Sequence, residues 1–245
     1  MFLYVFMTKT FFSNQILFFF IKSKMYILNI ETSTKNCSVS LSKNGKIVSG
    51  KDFANEGYSH AELLHVFIEE ILANSKVDFN DLSAVAISKG PGSYTGLRIG
   101  VSAAKGFCFA LDIPLISIDT LTILASQVSI GSGVIIPMID ARRMEVYSAV
   151  FDANNQKIRA VEAEVIDENS FFDYRENIYI IGDCQEKIKT VLHNEKFIYL
   201  ENIVYPSANE MGILSYEKLI NKDFEDLAYF EPFYLKEFKS SSKIS

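Results

Sequence analysis

One pattern repeats within this chain and restricts its fold more than any other feature. Residues 25–53 read as MYILNIE, a polar turn TSTKN, a run CSVSLS, the turn Lys43-Asn44-Gly45 and a run KIVSGKDF. Residues 133–166 read as GVIIPMID, a turn ARRM, a run EVYSAVF, a turn DANNQ and a run KIRAVEAEVI. Each unit is three strands joined by turns, and the Asn-Gly pair is a strong hairpin signal because both turn positions need positive φ. The first strand of each unit ends in an acid, Glu31 or Asp140. Helical patterns follow both units, at 59–74 and 97–111 in the first half and at 184–192 and 209–219 in the second. Two β-β-β-α units in tandem, separated by the loop 129–133, predict two lobes related by a pseudo-twofold axis with a cleft between them. The lobes would be 25–129 and 130–245.

That arrangement is the α/β architecture of the two-lobed actin-like ATPase and sugar kinase fold, whose lobes are ribonuclease H-like. In that fold the two strand-ending acids hold water-bound Mg²⁺ beside nucleotide phosphates, and oxygen ligands suit such a hard ion. The same acids also serve simply to cap turns, and at this point both readings stay open for Glu31 and Asp140.

Apolar residues make up 49% of the chain and charged residues 22%. This excludes a disordered chain, and the longest apolar runs fall well short of a membrane span. The net charge of −6 argues against direct nucleic-acid binding, which needs a basic stripe to displace counterions from phosphates. Cys37, Cys108 and Cys184 lie far apart with no C-x-x-C pair, so neither a disulfide framework nor a cysteine zinc site is expected, and a reducing cytoplasm fits. The aromatic-rich residues 1–24 have only a short apolar run, Ile16 to Ile21, with no small-residue cleavage site after it, which makes a poor signal peptide. The ordered domain is expected to begin at Met25, with residues 1–24 disordered or not part of it.

The stretch Gly90-Pro91-Gly92-Ser93-Tyr94-Thr95-Gly96-Leu97-Arg98-Ile99-Gly100 follows an apolar strand and opens a helix, the usual place for a phosphate cradle. It is not a Walker loop, because Leu97-Arg98 stands where Lys-Ser/Thr is required. It carries one residue too many for a Rossmann G-x-G-x-x-G and follows a mid-chain strand. The plainer reading is that Gly90 and Gly92 permit a tight turn, Ser93 or Thr95 caps the helix, and Gly96 and Gly100 admit a close neighbour. His60 and His65 are five residues apart on a helical pattern and so about 140° apart around it, which rules out one shared metal ion. Ser93 lacks a G-x-S-x-G elbow, and no nucleophile stands out.

Together these residues resemble the TsaB family of tRNA threonylcarbamoyladenosine biosynthesis proteins. The resemblance covers nearly everything after Met25. It rests on Ile30-Glu31-Thr32-Ser33, the run 90–100, Asp140-Ala141-Arg142-Arg143 with Glu145-Val146-Tyr147, and Pro232-Phe233-Tyr234-Leu235. The chain is similar also to the catalytic paralogue TsaD, but TsaD-like chains carry H-x-x-x-H, a D-x-G phosphate turn and a paired-glycine adenosine motif. The corresponding places here read His60 with Leu64 four residues on, Asp140-Ala141-Arg142, and Gly182-Asp183. The resemblance therefore implies a non-catalytic subunit with no metal and no cofactor of its own and a degenerate nucleotide site at Glu31, Thr32, Ser33, Gly90, Gly92, Ser93, Thr95 and Asp140. It implies a heterodimer with a TsaD-like partner that uses ATP and metal, a TsaE-like ATPase joining, contact with tRNA only through these partners, and a homodimer when the chain is alone. The assembly would place the threonylcarbamoyl group on N6 of adenosine 37 in tRNAs that read codons beginning with A. The alternative is an enzyme in its own right, a weak ATPase or kinase using Glu31 and Asp140, or a peptidase.

The partner face is expected on the first two helices. Leu64, Phe67, Ile68 and Ile71 form a stripe at helical spacing, which Leu63 and Val66 widen. Between 97 and 111 only Arg98 and Lys105 are charged, while Gly100, Ala103, Ala104 and Gly106 are small. A helix apolar almost all round cannot be covered by one sheet, and its uncovered side should form an interface. The expected contact set is His60, Leu63, Leu64, Phe67, Ile68, Ile71, Leu97, Gly100, Val101, Ala103, Ala104 and Phe107.

Overall fold

The structure is a computed structural model that describes residues 25–54 and 60–236. The leader 1–24 and Ser59, where the first helix was expected to start, lie outside the described residues. The first sheet contains β1 (Tyr26–Glu31), β2 (Asn36–Lys43), β3 (Lys46–Ala54), β4 (Leu82–Ser88) and β5 (Leu115–Ile118), in the spatial order β3-β2-β1-β4-β5. The second contains β6 (Val134–Asp140), β7 (Glu145–Asp152), β8 (Lys157–Val165), β9 (Ile178–Gly182) and β10 (Phe197–Tyr199), in the order β10-β9-β6-β7-β8. In both, the first three strands pair antiparallel and the next joins the first in parallel. This is the duplicated lobe of the actin-like ATPase fold, with Glu31 and Asp140 as the last residues of the equivalent strands β1 and β6.

The helices are α1 (His60–Ser75), α2 (Tyr94–Leu111), α3 (Thr120–Ala125), α4 (Gln185–Lys189) and α5 (Met211–Asn221). Among the described residues no helix is long and apolar enough to cross a membrane. Strand β4, LSAVAIS, is almost wholly buried because both sheet faces are covered, as a central parallel strand requires. On one face α1 and α2 enclose Leu28, Ile30, Val39, Val85 and Ile87, and on the other α5 covers Ile27, Ala84, Ala86 and Ile116.

Two placements differ from the sequence reading. The helix expected over 209–219 as part of the second half is α5, which packs on the first sheet. A buried polar seam guides it there. Asn29 Nδ2 donates to Ser40 Oγ at 3.1 Å and Ser42 Oγ at 3.2 Å, and Ser215 Oγ donates to Asn29 Oδ1 at 2.8 Å. The Ala208 backbone is held from both ends, accepting from Ser40 Oγ at 2.6 Å and donating to Ser38 Oγ at 2.7 Å. Each of these groups would carry a desolvation penalty without its partner. The second difference is α3, which the sequence reading passed over. Asp119 caps it by accepting from the amides of Leu121 at 3.0 Å and Thr122 at 3.1 Å. Leu121, Leu124 and Ala125 pack on the second sheet while Ile123 packs toward the first, so α3 wedges between the lobes. The pattern at 184–192 forms a shorter helix, α4.

Beyond α5 the chain returns along the first lobe without regular structure. Glu225 N–H donates to Leu115 O at 2.9 Å and Phe233 N–H to Lys89 O at 2.7 Å. Lys105 Nζ donates to Ala228 O at 3.3 Å and Phe230 O at 3.1 Å.

Candidate functional site

At the end of β1, Glu31 has no exposed surface. One carboxyl oxygen accepts the Ser33 amide at 2.6 Å, while Oε2 has no hydrogen-bond partner. Burial pushes its pKa up from 4.5 to about 7, against the lowering influence of the Ser33 and Ser88 groups beside it, and Asp52 adds a small repulsion. The glycine-rich run lies directly over the β1–β2 turn. Ser93 N–H donates to Ser33 O at 2.6 Å, and Thr32 Oγ1 donates to Gly96 O at 2.8 Å. Ser93 is the N-cap of α2 and accepts the Gly96 amide at 3.3 Å.

Gly92, Gly96 and Gly100 are spaced by four, and each faces this turn. A methyl group on Gly92 would run into the Ser33 carbonyl, one on Gly96 into the Thr32 carbonyl, and one on Gly100 into Thr32 Oγ1 and, at 2.9 Å, Ile87 Cδ1. A methyl group on Gly90, at φ +110, would likewise lie only 2.7 Å from the Phe233 carbonyl oxygen. Thr95 is exposed at the first turn of α2. Gly90, Gly92 and Gly96 therefore admit backbone, and Gly100 side chains, of this same chain, and the amides of Ser93 and Gly96 already have protein acceptors. These residues do not fit a Mg²⁺-nucleotide: the acid that would face the ion is enclosed beneath the loop that would hold the phosphates.

Asp140 lies at a turn. It accepts the Arg142 amide at 2.8 Å and pairs with Lys187, whose ammonium also donates to Arg143 O at 2.7 Å and Glu145 O at 3.0 Å. The Asp140 amide in turn donates to Asp183 Oδ1 at 2.8 Å, and burial raises the Asp183 pKa. Arg142 and Arg143, at φ +74 and +53, hold the turn that a glycine would make more easily. Among the described residues no three His, Cys, Asp or Glu side chains converge as a metal-ligand group.

The helical face needs correction. Eight of the twelve expected contact residues, His60, Leu64, Ile68, Ile71, Leu97, Gly100, Val101 and Ala104, are buried within the lobe. Their stripes are the ones that the sheet covers, so in this fold they have no surface to offer. The His60 ring donates through Nε2 to Thr34 O at 2.8 Å, and burial lowers its pKa. Leu63, Phe67, Ala103 and Phe107 are half-buried at the edge of the accessible strip. Outward positions include Glu62, His65, Val66 and Glu69 on α1 and Thr95, Arg98, Ser102, Gly106, Phe109 and Ala110 on α2. Phe109 is 82% exposed and Val66 46%. The rings of His65 and Phe107 meet at 5.9 Å, and Phe79 stacks on Phe107 at 5.5 Å, which closes the groove between the two helices. A methyl added to Gly106 would meet nothing within 4 Å. The signal for this face was present in the sequence as the helical positions 95, 98, 102, 106 and 109, offset from the core stripe.

The family described as TsaD, tRNA N6-adenosine threonylcarbamoyltransferase, matches residues 56–229. A tRNA threonylcarbamoyladenosine biosynthesis protein TsaB from Haemophilus influenzae is 30% identical over 230 residues, covering 86% of this chain and 93% of its own. The chain belongs to the TsaB family. The likeness extends to solved structures: YeaZ from Pseudomonas aeruginosa superposes with a TM-score of 0.75 at 22% identity, covering 86% of this chain and all of that one. A tRNA N6-adenosine threonylcarbamoyltransferase from Bacillus licheniformis is 34% identical over 112 residues, which is 40% of this chain and 33% of that enzyme. Membership of the TsaB family places the chain in threonylcarbamoyladenosine biosynthesis, and the glycine run here serves to lock α2 onto the β1–β2 turn.

Proposed function

We propose that this chain is a non-catalytic subunit of a cytoplasmic tRNA threonylcarbamoyltransferase assembly, and that it acts by binding and activating a TsaD-like paralogue through the outward face of α1 and α2. A TsaE-like ATPase joins the pair, the partners supply ATP and metal chemistry, and tRNA is reached through them. The observation that carries this reading is Gly106 beside exposed Phe109. Glycine inside a helix costs about 1 kcal/mol relative to alanine, and nothing in this lobe requires the gap at Gly106. A gap next to an exposed aromatic is what a second helix needs in order to approach closely. The enclosed position of Glu31 supports a role outside catalysis.

Gly106→Arg and Phe109→Asp are each expected to weaken binding to a TsaD-like protein by about 30-fold or more, the loss typical of a central interface anchor. The melting temperature of the chain alone should not fall. Titration calorimetry with the purified pair, and reconstituted tRNA modification, measure this; undiminished binding by both variants would place the partner elsewhere. The pure chain is also expected not to turn over ATP. Steady turnover that vanishes on Glu31→Ala or Asp140→Ala would establish the weak-ATPase reading instead.

A further inference from the structure

The two lobes are joined by two crossovers, one through α3 and one through the segment leading to α5, and these lie together, with Gln127 Nε2 donating to Tyr205 O at 2.8 Å. Two adjacent crossovers make a hinge. The carboxy-terminal segment adds a third tie through different strands. Phe233 is bonded to Lys89 on the first lobe. The Tyr234 ring lies 4.6 Å from that of Tyr94 at the start of α2, and Arg98 Nε donates to Tyr234 OH at 3.3 Å while its other end is bonded to Tyr94 OH. Two residues later the chain has reached the second lobe, where Lys236 pairs with Glu145 and lies 6.0 Å from the centre of the Tyr147 ring, both on β7.

From these contacts we propose that residues 233–236 are a strap that sets the opening between the lobes. The two ends differ in strength. On the first lobe the strap is held by a backbone hydrogen bond, a ring contact and the Arg98 bridge. On the second lobe it is held by one partly exposed ion pair and a peripheral ring contact. Such a pair shifts an equilibrium only modestly and weakens as salt rises. The strap therefore releases from the second lobe first and stays attached to α2, so that the lobes gain freedom about the hinge while the first lobe keeps its fold. It acts as a releasable restraint, and any ligand or chain segment that competes for Glu145 and Tyr147 would open the cleft.

The test is an interlobe distance in the full chain. Cys37, Cys108 and Cys184 are buried, so spin labels can be directed to cysteines introduced at Val48 and Ala163, exposed positions on the outer strands β3 and β8. The parent is expected to give one main distance between the labels. Lys236→Glu and Glu145→Lys should each raise the ratio of longer to main distance by about two- to five-fold, as the loss of a surface ion pair implies. The double charge swap should return that ratio towards the parent, and raising the salt on the parent should reproduce the single variants without any substitution. A distance distribution unaffected by either single variant and by salt would overturn the strap, and so would a double swap no closer to the parent than the singles.

Discussion

Gly96→Ala is expected to destabilise the chain by about 3 kcal/mol or more, the range in which a buried overpacking clash cannot relax. The added methyl meets the backbone carbonyl of Thr32, which cannot rotate away, and the same turn is held by Ser93 N–H on Ser33 O and by Thr32 Oγ1 on Gly96 O. Moving the turn to make room breaks both bonds and disturbs the strand end that carries Glu31. Gly100→Leu should behave alike, because its side chain would have to displace Thr32 and Ile87. Gly106→Ala, ten residues along the same helix, should leave stability unchanged or raise it by up to about 1 kcal/mol, since open space and ordinary helical geometry favour alanine. For a chain of this size the first pair corresponds to a fall in melting temperature of about 6–12 °C. Thermal and urea unfolding of the three variants read this directly. If Gly96→Ala melted with the parent, the glycine run would not be packed on the β1–β2 turn, and its place as a phosphate cradle would reopen.

The same three glycines mark what the sequence could and could not reveal. Strand triplets were legible because β1–β3 and β6–β8 repeat one order of turns and strands, and an Asn-Gly hairpin admits few alternatives. That Gly96 and Gly100 admit a close neighbour was legible too, but not the identity of that neighbour, since Thr32 is 64 residues away. Periodicity located the apolar stripes of α1 and α2 but not which part of a wide stripe the sheet covers. The widened set therefore mixed Ala104, which is core, with Phe107, which reaches the edge. The return of α5 to the first sheet was hidden for a different reason. Asn29, Ser38, Ser40 and Ser42 alternate along their strands like a solvent-facing row, yet Ser215 and the Ala208 backbone bury them. Helix α3 is only six residues, TLTILA, with β-favouring threonine and isoleucine, and the Asp119 cap becomes visible only once its acceptor oxygen is placed.

The other large expected effect belongs to Glu31 and appears as a pH dependence. With its pKa at about 7 in the folded chain against 4.5 when solvated, Glu31 is protonated on folding wherever the pH lies between these values. The stability associated with that proton is fully present below pH about 4.5, declines through the window from about 4.5 to 7, and is lost above it. The loss amounts to about 3 kcal/mol at pH 8, from roughly 1.4 kcal/mol for each unit of the shift. Glu31→Gln removes the ionisation and keeps the shape: the amide oxygen can still accept the Ser33 N–H, and the NH₂ lies beside the Ser33 and Ser88 hydroxyls. Parent and variant should therefore be nearly equal in stability at pH 4.5, and the variant should gain steadily until it is about 3 kcal/mol more stable at pH 8. Taking the difference matters, because other groups titrate in the same range. Buried His60, whose pKa is lowered, loses stability as the pH falls, while Asp183 and Glu210, whose pKa values burial raises, add slopes of the same sign as Glu31. Each contributes equally to both proteins and cancels. Urea unfolding of the pair across pH 4.5–8 provides the measurement. A difference that stayed flat would mean that Glu31 reaches solvent or a counter-charge. A difference that turned against glutamine as the pH rose would mean that the carboxylate is stabilised as an anion, the condition that a cation-holding acid of the actin-like fold requires and that a docking subunit does not.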